Sequence, residues 1–306
     1  MADREQIDQQ RTNQQQSAAA NSEQPGAISS WTRRHFMGIT TVASGSLLYP
    51  FEVSRHALTV EKVDLKLDRL PETFRGMRIV QISDIHFEEF DEAWFVKQAV
   101  RVINSLNPDM VILTGDFVSY GPFGLEFGRK RAAPCAEILS KITCPLRFAS
   151  LGNHDAVVGD RYVIDALEGH GIPVLFNRSI PLERDGERIW LVGLGSASMH
   201  QSYPKEAMPK AAIQNKETML VLSHEPDILP QLAGLGADMV FSGHTHGGQI
   251  RFPFVPPMFL PPLGKIYVRG HFKLGNTQLY VNRGLGTVSI PARLNCTPEI
   301  TQFTLV

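Results

Sequence analysis

The 306-residue sequence predicts an α/β fold with a largely parallel sheet. Three observations predict it. Short apolar runs recur along the chain, bounded by Gly, Pro, Asn and Asp. Between them lie stretches whose apolar residues repeat at helical spacing. Past Gly248 the helical spacing stops and a strand-and-turn pattern replaces it.

The elements follow in order. Thr59 to Leu67 roughly alternates and is expected as an edge strand. Arg78 to Ser83 is apolar enough to be a buried strand, and it runs into Asp84. Asp91 to Leu106 places Phe95, Ala99, Val102, Ile103 and Leu106 on one helical face, and Asn107-Pro108 ends it. Met110 to Thr114 is the next buried strand. A helix is expected over Pro134 to Ile142, with proline in its first turn. Leu146 to Leu151 is a strand and Arg161 to Gly169 a helix. Ile189 to Leu194, Thr218 to Ser223 and Met239 to Ser242 are further short apolar strands. Lys265 to Lys273 and Thr277 to Asn282 flank a Leu274-Gly275-Asn276 turn, and Glu299 to Val306 is the last strand. No internal repeat or linker divides this stretch, so residues 58–306 are expected as one domain.

Composition narrows the function classes. With 43% hydrophobic and 20% charged residues the chain can build a sizeable core. A net charge of −1 supplies no global field that would recruit nucleic acid, so no nucleic-acid partner is expected. Cys135, Cys144 and Cys296 are odd in number and form no C-x-x-C pair, which argues against a disulfide-built domain. They are expected as small buried apolar residues.

The first thirty residues are rich in Gln, Asn, Ser and Ala and are expected to be a disordered polar tail, because they cannot bury enough apolar surface to offset their ordering entropy. Residues 31–57 read differently. Thr32-Arg33-Arg34-His35-Phe36 precedes a mildly apolar run from Ile39 to Phe51, which is the layout of an export signal. It resembles a twin-arginine signal, so the export machinery of that route is an expected partner. The run is shorter than the ~20 residues of a membrane-spanning helix, and no A-x-A cleavage site follows it. The expected location is the periplasmic face of the inner membrane, either free or held by an uncleaved signal.

The strand ends carry the chemistry. Asp84-x-His86, Gly115-Asp116, Gly152-Asn153-His154-Asp155 and Gly243-His244-Thr245-His246 each follow an apolar strand, and a fifth strand ends at His224. In an open α/β sheet such ends converge on one crevice. Carboxylate, imidazole and amide donors without thiolate suit Mn, Fe, Zn or Mg rather than a cysteine-built zinc site. Asp84 and His86 are two apart, as are His244 and His246, so each pair is expected on one face of an extended segment. Each pair could then hold one ion, and a shared Asp could bridge two.

These five blocks, in this order, resemble the calcineurin-like metallophosphoesterases from about Arg78 to the C-terminus. The longer block Gly243 to Ile250, with Tyr280 to Gly286 and Pro298-Glu299-Ile300, resembles the YkuE/YaeI-like phosphodiesterase branch, similar to UDP-2,3-diacylglucosamine hydrolases. The resemblance implies a four-layer α/β/β/α sandwich with a dinuclear metal site at strand C-terminal ends. It implies that Asp84, His86 and His246 hold one divalent ion, that Asn153, His224 and His244 hold the second, and that Asp116 bridges them. A bridging hydroxide would attack phosphorus, and His154 would protonate the leaving oxygen.

One departure from the family pattern stands out. Phosphatases of this family carry an Asp that supports the catalytic His and an Arg that clamps phosphate. Ser119 and Tyr120 occupy those positions here. This turns the reading away from a protein phosphatase and leaves Asp155 and Arg283 as candidates for support and phosphate contact, against an ordinary structural role. The resemblance favours phosphodiester or pyrophosphate hydrolysis on a lipid-linked substrate. The alternatives are a general periplasmic phosphomonoesterase or nucleotide phosphodiesterase, and a non-catalytic metal-binding scaffold.

Three weaker features remain. The proline-rich run Arg251 to Leu263 is either a loop packed on the sheet edge or an exposed apolar lip for an acyl chain or a membrane surface. His170 and His200 lie outside the motifs and are expected at the surface or a helix end.

Overall fold

The computed structural model describes residues 48–90, 92–121, 124–257 and 259–306. The tail and most of the twin-arginine segment lie outside the described residues. Residues 49–306 form one compact unit, built on two sheets.

The first sheet has the order β1-β11-β2-β3-β4, with β1 Thr59–Leu65, β2 Arg78–Ile82, β3 Met110–Thr114, β4 Arg147–Ser150 and β11 Glu299–Leu305. β1 is the edge strand, and it pairs in parallel with β11 over seven positions, from Thr59↔Glu299 to Leu65↔Leu305. The start of the domain is thereby locked to its end. β2, β3 and β4 are parallel, so their C-terminal loops leave from one edge.

The second sheet has the order β5-β6-β7-β8-β10-β9, with β5 Arg178–Arg184, β6 Glu187–Gly193, β7 Met219–Leu222, β8 Met239–Ser242, β9 Gly270–Leu274 and β10 Thr277–Val281. β6, β7, β8 and β10 are parallel. Strand β5 is absent from the sequence expectation. Its residues Arg178 to Arg184 face solvent on most positions, so no apolar run marks it, and the Asp185-Gly186 turn is its one local signal.

Three apolar layers show how the sheets and helices stack. One packs the first sheet (Val80, Ile82, Val111, Leu113) against α1 Ala93–Ser105, α2 Leu125–Leu139 and the later α4 Asp160–Gly169. A second lies between the sheets, where Leu65, Ile79, Ile112 and Phe303 meet Leu191, Leu220, Phe241 and Tyr280. A third packs Val192, Val221, Val240 and Leu279 against α5 Pro204–Ala207, α6 Lys210–Asn215 and α7 Leu229–Gly234. This is the expected helix–sheet–sheet–helix arrangement. Within each central strand alternate residues face opposite apolar layers, which is why these strands read as continuous apolar runs.

Helix α2 corrects the sequence expectation. It begins at Leu125, and Pro134 lies in its interior rather than its first turn. Proline there removes one helical hydrogen bond and disfavours a helix by ~3 kcal/mol. Gly128, Ala132, Cys135, Ala136 and Leu139 are buried along the same helix, and this tertiary burial offsets the local penalty. Cys135, Cys144 and Cys296 are all buried free thiols, as expected.

A few buried polar groups tie the two sheets together beneath the strand ends. Gln81 donates to Thr114 Oγ1 and to the Ser242 carbonyl, each at 3.0 Å. Tyr280 donates to Glu299 Oε1 at 2.8 Å, and Asn282 donates to Thr301 Oγ1 at 2.8 Å. Each partner would cost free energy if left unpaired in this interior, so these bonds fix how the sheets register.

Candidate metal centre

The five polar blocks converge where the parallel strands of both sheets end. From the first sheet come Asp84 and His86 after β2, Asp116 after β3, and Asn153 and His154 after β4. Asn153 opens the short helix α3, Asn153–Val158. From the second sheet come His224 after β7 and His244 and His246 after β8. Asp84, His86 and His246 form one group able to hold a metal ion, and Asp116, His224 and His244 form another. Asp116 Oδ2 lies 3.0 Å from His224 Nε2 and 3.7 Å from His86 Nε2, so it stands between the groups.

The backbone that delivers these side chains is not extended. Asp84, His86, Asp116, His244 and His246 all have positive φ, between 46° and 73°. The expectation that Asp84/His86 and His244/His246 alternate along an extended face is therefore wrong. The chain has left the strand and turned through left-handed conformations, each costing ~1–3 kcal/mol for a non-glycine residue. Hydrogen bonds between loops hold it there: Asp84 N donates to Gly115 O at 2.9 Å, and Ile85 N and His86 N both donate to Asp116 O. The loops approach so closely that a Cβ on Gly152 would sit 2.2 Å from Asp116 Oδ1, and one on Gly243 would sit 2.2 Å from Asp84 Oδ2. These glycines of the motifs are required by space.

Each of the four clustered imidazoles outside His154 has one ring nitrogen tied to an oxygen. His86 Nδ1 meets Ser119 Oγ at 2.6 Å, and His224 Nδ1 meets the Thr114 carbonyl at 2.6 Å. His246 Nδ1 meets the Gly286 carbonyl at 3.3 Å, and His244 Nε2 meets the Pro262 carbonyl at 2.7 Å. A carbonyl partner requires N–H at that nitrogen, which in a neutral ring leaves the opposite nitrogen bare. His86 Nε2 and His246 Nε2 lie 3.0 Å apart. The Ser119 hydroxyl can donate to or accept from His86 Nδ1, so His86 Nε2 either donates to His246 Nε2 or lies bare beside it as a second ligand nitrogen. Asn153 Oδ1 is buried with no hydrogen-bond partner among the described residues. The donors present therefore fit a pair of divalent ions.

Electrostatics agree for three of the four imidazoles; at His224 burial is outweighed by Asp116 and then Asp84, which hold it well above the usual imidazole range. Burial, with His154 and His246 nearby, holds His86 well below the usual imidazole range. Burial and then the Arg293 guanidinium do the same to His246, and burial and then His224 lower His244. Neutral imidazole is the ligand form. Burial alone would raise Asp116, but His224, His154 and His86 hold it well below the usual carboxylate range.

Ser119 sits elsewhere than the family pattern implies. It contacts His86, not His154. Tyr120 stacks on His154 with ring centres 5.0 Å apart and planes 19° from parallel. Asp155 does not support the His154 ring. Its carboxylate accepts backbone N–H from Asp116 at 2.8 Å, Phe117 at 2.9 Å and Gly152 at 3.0 Å, pinning the second and third loops to each other. Arg283 is a structural ion pair, with Glu299 at 2.6 Å and Glu61 at 2.7 Å. His154 itself is held through its backbone N–H, which donates to Asp116 Oδ1 at 2.8 Å, and its Nδ1 has no partner among the described residues.

Two residues near the centre escaped sequence reading. Glu225 is fully buried and accepts from Ala197 N at 2.9 Å and Ser198 Oγ at 2.8 Å, fixing the loop that carries His224. Arg293 is fully buried beside His246, with Nη2 3.4 Å from Nδ1, and it donates to the carbonyls of Arg283 and Cys296. Glu225 stands one residue past His224 but completes no recognisable block, and Arg293 follows no strand, so a single sequence carries no signal for their roles. His170 caps the end of α4, and His200 is exposed, both as expected.

The centre opens into a cavity of about 600 Å³. Its lining is mixed, with the polar residues Asp116, Asn153, His154, His244 and His246 and the apolar residues Ile250, Phe259, Leu260, Pro261, Val288 and Ile290. Phe254 is fully exposed and Phe259 is 78% exposed, so the proline-rich run is an apolar lip and not a packed edge loop.

Known proteins resemble this chain over most of its length. Residues 77–248 match the calcineurin-like phosphoesterase family. The chain is 31% identical to metallophosphoesterase YkuE of Bacillus subtilis over 266 residues, 86% of this chain and 91% of that protein. It is 31% identical to phosphodiesterase YaeI of Escherichia coli over 260 residues, 84% of this chain and 88% of that one. UDP-2,3-diacylglucosamine pyrophosphatase LpxG of Chlamydia muridarum is 29% identical over 283 residues, 71% of this chain and 81% of that protein. Family match, matched length and a converged donor set point the same way: the chain belongs to the calcineurin-like phosphoesterase family and is a hydrolase.

Proposed function

We propose that this hydrolase cleaves a phosphodiester or pyrophosphate bond at a two-metal centre. Asp84, His86 and His246 would hold one divalent ion, Asn153, His224 and His244 the other, and Asp116 both. The observation that carries this reading is the set of four imidazoles, each with one nitrogen engaged by oxygen and the other left for the centre. Two ions there would activate water and neutralise phosphoryl charge. The ligand set accommodates Mn, Fe, Zn or Mg, and supply selects among them.

The residues around that chemistry have separable tasks. Ser119 and the three carbonyls orient the imidazoles. His154 lines the cavity with its ring stacked on Tyr120, and it would deliver a proton to the leaving oxygen. The Tyr120 face fixes the ring without supplying charge, in contrast to a carboxylate partner.

The substrate is proposed to be lipid-linked. Ile250, Phe259, Leu260 and Ile290 line the same cavity as the polar donors, so a phosphoryl group and an acyl chain could be held together. The relative whose name specifies UDP-2,3-diacylglucosamine supports the same class. Export by the twin-arginine route would put the enzyme at the periplasmic membrane face. Among the described residues no helix is long and apolar enough to cross a membrane.

The test is paired hydrolysis by metal-reconstituted protein of a lipid pyrophosphate, a soluble nucleotide diester and a chromogenic diester. Preference for the lipid substrate, reduced by Phe259→Ser while chromogenic turnover persists, is the expected result. Equal loss on all three would remove the acyl-chain role of the apolar lining.

A further inference from the structure

The lip that lines the cavity through Phe259 to Pro261 also lines a second cleft, which shares no residue with the first. Arg251, Phe252, Phe254, Val255, Arg269 and Asn295 line it, with a volume of about 550 Å³. Two features of this cleft are costly for a protein that faces only water.

The first is apolar. Phe252, Phe254 and Val255 are all exposed, and Phe254 is completely so. Phe254 also has a φ of 63°, an uncommon conformation for a bulky residue. The chain holds an aromatic ring out on a turn that its own backbone disfavours. The second is charge. Arg251 and Arg269 stand on one cleft, and neither forms an ion pair among the described residues. Their hydrogen bonds go to backbone carbonyls: Arg251 to Gly247 at 3.2 Å and Arg269 to Asn295 at 3.1 Å. Burial, and then the proximity of Arg269, disfavour the charge on Arg251. An anion between them would relieve this.

Neighbouring segments continue the surface. Arg251 N donates to Leu294 O, and Arg293 N donates to Pro50 O, so the turn Tyr49–Val53 is one contact away. Tyr49, Phe51 and Val53 are exposed there. In the sequence this turn ends the apolar run from Ile39, so the described chain begins beside the same surface.

We propose that this cleft docks on a bilayer of anionic phospholipid. The Arg251–Arg269 pair receives a headgroup phosphate, and Phe252, Phe254 and Val255 enter the acyl boundary. The lip would then hold the catalytic cavity at the membrane surface. Docking does not depend on which ester is cleaved, so it and the hydrolytic proposal fail separately.

The experiment is flotation of the full-length protein with phosphatidylcholine vesicles, with or without phosphatidylglycerol. Every variant keeps its N-terminal segment, so differences report on the cleft. Wild type should float with the anionic vesicles. Arg251→Gln with Arg269→Gln should lower that partition about tenfold or more and abolish the anionic preference. Phe254→Ser, at a fully exposed position, should lower it several-fold with an unchanged melting temperature. Wild-type flotation by both variants would overturn the proposal. So would equal binding to both vesicle types, or tight binding of inorganic phosphate at the arginine pair without vesicle binding.

Discussion

His86 and His246 face each other through their Nε2 atoms at 3.0 Å, although they come from different sheets. Each has its other ring nitrogen engaged, His86 with Ser119 and His246 with Gly286. The two sheets thus meet at a pair of ring nitrogens that share a hydrogen bond in one tautomer and that a cation could bind together in the other.

Metal removal should cost stability as well as activity. Chelation is expected to lower the melting temperature and abolish hydrolysis together, with both restored by a first-row divalent ion. Asp116→Ala should lose both ions when metal content is measured on purified protein, because its carboxylate stands between the two groups. Retention of one full equivalent would show that Asp116 serves a single ion.

Ser119→Ala tests positioning. Its hydroxyl is the partner of His86 Nδ1, and outer hydrogen bonds of this kind change metal affinity by ~10–100-fold. Weaker metal retention in competition with a chelator is expected, with activity recovered at saturating metal. Unchanged affinity would make the contact incidental.

His154→Ala should keep both ions and lose rate chiefly on substrates with poor leaving groups. General acid catalysis contributes ~10²–10⁴-fold, and a nitrophenolate leaves without it. Tyr120→Ala removes the stacked face and should give a smaller loss of the same kind. Equal losses on good and poor leaving groups would argue against proton delivery.

Stability against acid has a separate origin in Glu217. Hydrogen bonds from Arg188 at 2.7 Å and Trp190 at 2.5 Å hold its carboxyl below the usual range. A depressed carboxylate stabilises the fold above its unfolded pKa, near 4.5, and that contribution disappears as pH falls through the folded value. Melting temperature should fall as pH drops below 4.5, less steeply in Glu217→Gln. Parallel curves would assign the acid sensitivity to other groups.

The sequence by itself determined which donors this protein has and that they belong together. Asp84, His86, Asp116, Asn153, His224, His244 and His246 each follow a buried strand, and strand ends of a parallel sheet must meet at one edge. The apolar runs that made β2, β3, β7 and β8 legible are the same runs that place the site. Helix α2 was misread because a proline is a local signal, while the burial that outweighs it is not. Strand β5 was missed because its side chains are largely in water.

Only the tertiary structure decided how the donors are aimed. The left-handed turns at Asp84, His86, Asp116, His244 and His246 are held by hydrogen bonds to other loops, so no local pattern announces them. The partner of Ser119, the carbonyls behind three imidazoles, and Glu225 and Arg293 are all contacts between segments far apart in the chain. Residue type and strand order are local properties of a sequence. The direction of a ring nitrogen is set by whichever distant oxygen folding places behind it.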